Sequence, residues 1–371
     1  MDFDFSDEQD QLRDAVRKWV DKAYSFDRRR VIASDGGFSI EAYRELAELG
    51  LCGLYVPEAI GGLGMGPVEG MVVMEEMGRG IVLEPLTQAM IAGAVLSNYA
   101  PEPLAAQWGP KIASGERLVA LAYLERAARY RLDTCATEAQ QQDGGWVLTG
   151  SKSLVANGDT CDAFLVSATL DGKVAMFLVE RGAAGVGTRG YGTLDGARAA
   201  ELHLDKAAAQ LISRDGLNAL EHAVDVGIAC SCAEAIGVME KTLALTVDYM
   251  NTRKQFGVVI GSFQALRHRV ADMKMQLELA RSMSYYASLK LNAPAPERRA
   301  AIARAKYQSG QSMRFVGQQA IQLHGGIGVT DEYAVSHYFK KLTQLELTWG
   351  DSLHQLGEVS SRMQDTAGVF A

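Results

Sequence analysis

The chain has 371 residues, roughly two or three domains' worth, and its 48% hydrophobic to 22% charged composition is that of a protein able to bury a large core. Its 45 acidic side chains against 37 basic ones leave a net charge of −8, which argues against a broad nucleic-acid surface, because phosphate binding needs clustered cations. No uninterrupted apolar run nears the roughly 18 residues of a bilayer span, and the start, Met1-Asp2-Phe3-Asp4-Phe5, is acidic where a signal peptide is basic, so the expectation is a cytoplasmic protein with no membrane or nucleic-acid partner.

The first stretch, to about Ile112, reads as helices. Ser6 followed by Gln9 forms a capping box ahead of the apolar pattern Leu12, Val16, Trp19 and Val20. Ser39 opens a segment through Tyr43, Leu46, Ala47 and Leu49, with Gly50 where a C-terminal cap belongs. Pro57–Gly64 is a loop by its glycines, and Pro67 is a good first-turn residue for a helix carrying Val68, Met71, Val72, Met74 and Glu75. A further helix runs from about Leu86 to Tyr99, and Pro101, Pro103 and Pro110 are expected to punctuate its end.

From about Leu118 to Asp205 the pattern changes to short apolar runs of strand length: Leu118–Leu124, Trp146–Leu148, Ala163–Ser167, Val174–Val179 and Leu202–Leu204. Gly144-Gly145 and Asp171-Gly172 mark turns, and the spacing predicts a compact β-barrel or sandwich. From about Gly216 the chain is helical again, over Asn218–Asn251, Phe263–Asn292, Glu297–His324, His337–Leu347 and Ser352–Thr366, as in a helical bundle. The expected organisation is α+β and mostly helical: an N-terminal helical domain (1–115), a central small β domain (116–208) and a C-terminal four-helix bundle (209–371). Cys52, Cys135 and Cys161 are isolated and Cys230 and Cys232 are two apart, a spacing that suits neither a redox pair nor a zinc site, so reduced thiols are expected and no metal.

Several motifs, in order, resemble the acyl-CoA dehydrogenase family. They are Arg253-Lys254-Gln255-Phe256-Gly257, then Ile260-Gly261-Ser262-Phe263-Gln264, then His268 and Ala271-Asp272-Met273. Further on come Gln322-Leu323-His324-Gly325-Gly326-Ile327-Gly328 and Glu332-Tyr333, and early in the chain Val56-Pro57-Glu58 with Gly61-Gly62. The resemblance implies FAD as cofactor, α,β-dehydrogenation of an acyl-CoA thioester, electron-transfer flavoprotein as electron acceptor, and a dimer or dimer of dimers. It further implies that Arg253, Phe256, Gln264, Gln322, Gly325 and Gly326 reach across a subunit interface to a neighbour's FAD. The residue types suit such contacts. Arg253 can pair bidentately with pyrophosphate, Phe256 can pack on a flat ring, and glycine pairs let backbone amides approach phosphate oxygens.

Other positions depart from the family pattern. The usual glutamate base, counted without gaps, falls on Trp349, and its alternative early in the preceding long helix falls on Gly227. Asp225 and Asp351, each two residues away, are rescue candidates; against them stand readings as a helix N-terminal charge and as a helix cap. Glu346 and Glu234 are weaker candidates. Of the segments that cradle the flavin in relatives, the first reads Leu124-Glu125-Arg126 and the second Leu154-Val155-Ala156-Asn157, losing hydroxyls and a stacking Trp. The catalytic residue is therefore unassigned. Gly66-Pro67-Val68-Glu69, Val82-Leu83-Glu84-Pro85 and Phe315–Lys341 look like the small subunit of pimeloyl-CoA dehydrogenase-type heteromeric enzymes, which implies a second acyl-CoA dehydrogenase-like subunit as partner. Two alternatives stand beside this: a self-sufficient homo-oligomer using Asp225 or Asp351, and a flavin-free interaction subunit. No spacing reveals which acyl-CoA is the substrate.

Overall fold

The computed structural model describes residues 5–142 and 144–366. The first helix, α1 (Asp7–Lys22), begins as its capping box requires: Gln9 N–H donates to Ser6 Oγ at 3.2 Å and Ser6 N–H donates to Gln9 Oε1 at 3.0 Å. α2 (Phe26–Ser34) has no apolar period, so the sequence pattern does not announce it. Its Arg29, wholly buried, donates from Nε to Ile81 O at 3.1 Å and lies 3.1 Å from His337 Nδ1; tertiary anchoring makes up for a weak local signal. Ser39 caps α3 (Ile40–Glu48), Pro67 opens α4 (Pro67–Arg79), and α5 spans Leu86–Tyr99.

The prolines after Tyr99 do not end the helical region. They start α6 (Glu102–Ala113), with Pro101 at the cap position and Pro103 in the first turn, where no backbone N–H is needed. Pro110 lies inside α6, and the spacing of buried Leu104, Trp108 and Ile112 shows why the helix continues through it.

Seven strands form the central sheet: β1 (Val119–Ala122), β2 (Glu138–Gln142), β3 (Gly145–Ala156), β4 (Ala163–Leu170), β5 (Lys173–Glu180), β6 (Val186–Gly192) and β7 (Arg198–Ser213). β4 pairs with β5 on one edge and with β1 and then β2 on the other; β2 pairs with β3, β3 with β7, and β7 with β5. The pairings close a ring β4-β2-β3-β7-β5, the expected small barrel, and β6 pairs with β7 outside it. β2 (Glu-Ala-Gln-Gln-Gln) and β6 (Val-Gly-Thr-Arg-Gly-Tyr-Gly) add to the expected strands; neither is an apolar run.

The C-terminal helices are α7 (Gly216–Thr252), α8 (Gln264–Lys290), α9 (Ala295–His324), α10 (Ala334–Leu347) and α11 (Ser352–Thr366). Among the described residues α7 alone is long and apolar enough to cross a membrane, with mean hydropathy 1.3, yet 94% of that window is buried within the protein. It is built as a core helix. All five cysteines are free thiols, Cys135 half-buried and the rest buried.

Two compact units make up the chain. One comprises Met1–Arg29, Pro67–Val82 and Ile228–Ala371; the other comprises Arg30–Gly66 and Leu83–Gly227. In the first, α9 packs against α8, α10 and α11, and Ile236, Met239, Leu277, Met313, Val316 and Leu342 form part of one apolar core. Two glycines let α4 and α7 cross closely: a Cβ on Gly237 would lie 1.8 Å from Glu75 O, and one on Gly78 would lie 2.0 Å from Glu234 O.

At this crossing burial pushes the Glu75 carboxyl up from 4.5 to about 7, with the Arg281 guanidinium at 3.8 Å opposing it. A raised folded-state pKa means that folding favours the protonated acid. Its contribution is present below pH 4.5 and is lost as the pH rises through 7. The shift corresponds to about 3 kcal/mol. Glu75→Gln is therefore expected to flatten the decline in unfolding free energy between pH 5 and pH 8, as read from urea melts; an unchanged pH profile would refute this assignment.

Candidate cofactor site

The motif with Arg253 folds as a tight hairpin directly after α7. Arg253 N–H still bonds to Tyr249 O at 2.8 Å; β8 (Lys254–Gln255) and β9 (Val258–Val259) then pair, and Ile260 N–H closes the base on Arg253 O at 2.8 Å. The two turn residues, Phe256 (φ 55°) and Gly257 (φ 80°), both take the positive φ that a primed hairpin turn demands. Burial does not offset the strain at Phe256, which is 91% exposed, with its ring edge-on to Phe263 at 6.2 Å between centroids. A bulky residue held in left-handed backbone and presented to the outside is a cost of order 1–3 kcal/mol that folds retain at binding positions.

The second motif ends α9. Gly325 caps the helix at φ 64°, ψ −142°, a region open only to glycine. A Cβ on Gly325 or Gly326 would meet no atom within 4 Å, so the chain leaves this backbone bare. The motifs are brought together by aromatic stacking: Tyr249, one turn before Arg253, stacks on His324, one residue before Gly325, with ring centroids 4.5 Å apart, and Tyr333 packs against both. His324 Nδ1 donates to Ala320 O at 2.8 Å, and burial lowers its pKa, so the ring stacks as a neutral imidazole.

Arg253, Gln264 and Gln322 are exposed, and their side chains make no hydrogen bond or ion pair among the described residues. Gln264 is the first residue of α8 and Gln322 lies in the last turn of α9. An unpaired guanidinium, two free amides, an outward aromatic ring and a bare glycine backbone suit the pyrophosphate and polar edges of FAD. His324 stands in the quoted glycine motif, but its stacking on Tyr249 is not legible from sequence; Tyr249 carries no signal beyond that of an ordinary helix.

The carboxylates near the expected base position are engaged elsewhere. Trp349 is buried at φ 64°, and its carbonyl accepts from Gln355 Nε2 at 3.0 Å. Asp351 Oδ1 accepts from His354 N–H at 2.8 Å, which makes it the cap of α11. Glu346 accepts from Ser352 N–H at 3.0 Å, from Ser352 Oγ at 2.7 Å and from Arg314 Nη2 at 3.2 Å. Glu234 pairs with Lys341 at 2.7 Å. Asp225 is wholly buried well inside α7, so the reading of it as a first-turn helix charge does not hold.

In the second unit the segment Leu154–Asn157 lies on β3 across a register irregularity between Lys152 and Val155. Leu154 is 57% exposed at φ 54°, and Ser153 N–H bonds to Leu124 O at 2.9 Å, so the two eroded cradle segments do lie side by side. Leu124, Leu154 and Ala156 offer a flavin no side-chain hydrogen bond and no aromatic face, and this part of the chain does not fit the cofactor as the outward-facing motifs do. Beneath it is a cluster that no sequence motif marks. Lys152, wholly buried, places Nζ 2.7 Å from Glu125 Oε1, 3.1 Å from Ser167 Oγ and 3.2 Å from Cys135 Sγ. Burial would raise the Glu125 carboxyl, but Lys152, Ala136 N–H and Thr137 hold it down to about 2.

The chain is similar to known proteins over nearly its whole length. The chain is 27% identical to acyl-CoA dehydrogenase FadE27 of Mycobacterium tuberculosis, over 99% of this chain and all of that protein. It is also 27% identical to glutaryl-CoA dehydrogenase of Desulfococcus multivorans, over 92% of each. Among solved structures, the ChsE4–ChsE5 complex of Mycobacterium tuberculosis matches at a TM-score of 0.89 and 26% identity, covering 99% of this chain and 100% of that one. The Tcur3481–Tcur3483 steroid ACAD variant matches at a TM-score of 0.90 and 27% identity, covering 97% and 99%. The acyl-CoA dehydrogenase N-terminal, middle and C-terminal domains match residues 6–116, 120–207 and 214–364 in turn. With nearly its whole length matched in order, the chain belongs to the acyl-CoA dehydrogenase family, whose members are FAD-dependent oxidoreductases.

Proposed function

We propose that this chain is one subunit of a heteromeric acyl-CoA dehydrogenase and completes the FAD site of a partner subunit that carries the catalytic glutamate. The observation behind this reading is an asymmetry within one chain. Arg253, Phe256, Gln264, Gln322, Gly325 and Gly326 are free and outward-facing, whereas Glu346 and Asp351 are taken up in fixing the start of α11 and the chain's own cradle has lost its polar groups. Similarity to a chain of the ChsE4–ChsE5 complex is consistent with an assembly of two different subunits. Bound FAD would supply the oxidant for α,β-dehydrogenation. Arg253 would neutralise its pyrophosphate, the Gly325-Gly326 amides would approach the phosphate oxygens, and Phe256 would cover the ring system. The same reading carries an acyl-CoA substrate, electron-transfer flavoprotein as acceptor and a cytoplasmic setting.

The test is the visible spectrum and solution mass of the chain expressed alone and together with a second acyl-CoA dehydrogenase-like chain. A colourless protein alone and a flavin-bearing hetero-oligomer on co-expression is the expected result. One FAD per chain and acyl-CoA turnover by the isolated chain would overturn the reading in favour of a self-sufficient homo-oligomer. Within the hetero-oligomer, Arg253→Ala should weaken FAD binding about 10–100-fold, the value of a charge-assisted pair; equal flavin retention in variant and wild type would remove Arg253 from the site.

A further inference from the structure

We propose that Cys135 and Lys152 form a covalent sulfur–nitrogen cross-link when the protein meets hydrogen peroxide. Cys135 alone among the five cysteines is not fully buried, and its sulfur lies 3.2 Å from the Nζ of a lysine that is wholly buried. Glu125 Oε1 serves both groups, 2.7 Å from Lys152 Nζ and 3.3 Å from Cys135 Sγ. A thiol, an amine and a carboxylate in mutual contact are a reactive arrangement: the half-buried sulfur is open to peroxide and the wholly buried amine is held beside it.

The chemistry balances with one peroxide. The sulfur attacks one peroxide oxygen, the S–H and O–O bonds break, an S–O bond forms and water leaves; the sulfur is oxidised by two electrons and the peroxide reduced, giving a sulfenic acid. The Lys152 ammonium gives up one proton to hydroxide from solvent, forming water. The freed amine attacks the sulfur, an N–S bond forms and the S–O bond breaks; the departing hydroxide takes the excess proton from the nitrogen and leaves as water. Thiol, neutral amine and peroxide thus give the cross-link and two waters. Burial pushes the Cys135 thiol up, with Lys152 opposing it, so cross-linking should speed up as the pH is raised. The bond also removes the cation that balances Glu125, and should loosen the Leu124–Thr137 segment beside the cradle.

The experiment is peptide mass spectrometry of the full-length chain after peroxide treatment. The expected product joins the peptides containing Cys135 and Lys152 at their summed mass less two hydrogens, resists trypsin at Lys152 and is reversed by dithiothreitol. Cys135→Ser, a conservative change expected to fold, should abolish it. A joined pair carrying one further oxygen would overturn the direct sulfur–nitrogen bond formed with one peroxide. Sulfinic acid at Cys135 with Lys152 still cleaved by trypsin, or linked peptides persisting in Cys135→Ser, would overturn the proposal.

Discussion

Lys152→Met is expected to cost about 3–5 kcal/mol of folding stability, the penalty for leaving one member of a buried ion pair without its partner. Glu125 would keep its hydrogen bonds from Ala136 N–H at 2.6 Å and from Thr137 N–H at 3.0 Å but lose its only buried cation among the described residues. Adding Glu125→Leu to that variant should recover most of the loss, since a well-packed apolar pair often matches a buried ionic one. The acid limb offers a separate check. The Glu125 pKa is lowered from 4.5 to about 2, so the stabilisation from the pair is complete above pH 4.5 and fades as the pH falls through 2. Without Lys152 the burial effect on Glu125 is unopposed by a cation, and stability should instead improve as the pH falls toward 4.5. Unfolding free energies from urea melts that differ by less than about 1 kcal/mol between wild type and Lys152→Met would mean that solvent reaches the pair.

Gly237→Val should be the most damaging change in the helical unit, at or beyond the roughly 3 kcal/mol upper end of ordinary overpacking. The obstacle is backbone, Glu75 O, which cannot rotate aside as a side chain can, and even Gly237→Ala brings its Cβ within 1.8 Å of it. Gly78→Ala meets Glu234 O on the other side of the same crossing at 2.0 Å, so the two alanine variants should combine less than additively. Gly357→Ala in α11 is the control: its Cβ meets nothing within 4 Å, and a helical Gly→Ala exchange there should gain about 0.5–1 kcal/mol. Melting temperatures decide the matter; a Gly237→Ala protein as stable as wild type would show that α4 and α7 separate at little cost.

How far the sequence can be read depends on whether the deciding force is local. Ser6 with Gln9, Ser39, Pro67 and the bounds of α5 and α11 are matters of capping and period, and the structure carries them as expected. α2 is silent in the sequence because what holds it is Arg29 reaching Ile81 and His337, far along the chain. α6 looks like a break because Pro110 is a local signal that burial of Trp108 and Ile112 overrides. β2 and β6 are polar or glycine-rich strands that exist because a barrel neighbour pairs with them. In the candidate site, the outward residues come from motif spacing. The Tyr249–His324 stack and the Glu125–Lys152–Cys135 cluster are meetings of residues distant in sequence, and no periodicity announces them.

The closed ring of strands also governs how this protein can aggregate. Five of the seven strands have both edges occupied by each other, which leaves β1 and β6 as the strands paired on one side only among the described residues. β1 is four residues long and buried, and α5 takes up its Leu121 N–H through Gln88 at 2.8 Å. β6 carries Gly187, Gly190 and Gly192 with Arg189 between them, a weak and charged template for another strand. Asp159 lies so close to Gly190 that a Cβ there would meet its carboxylate oxygen at 1.7 Å. The native barrel therefore presents little to a foreign strand, and association into sheets has to wait for the ring itself to open.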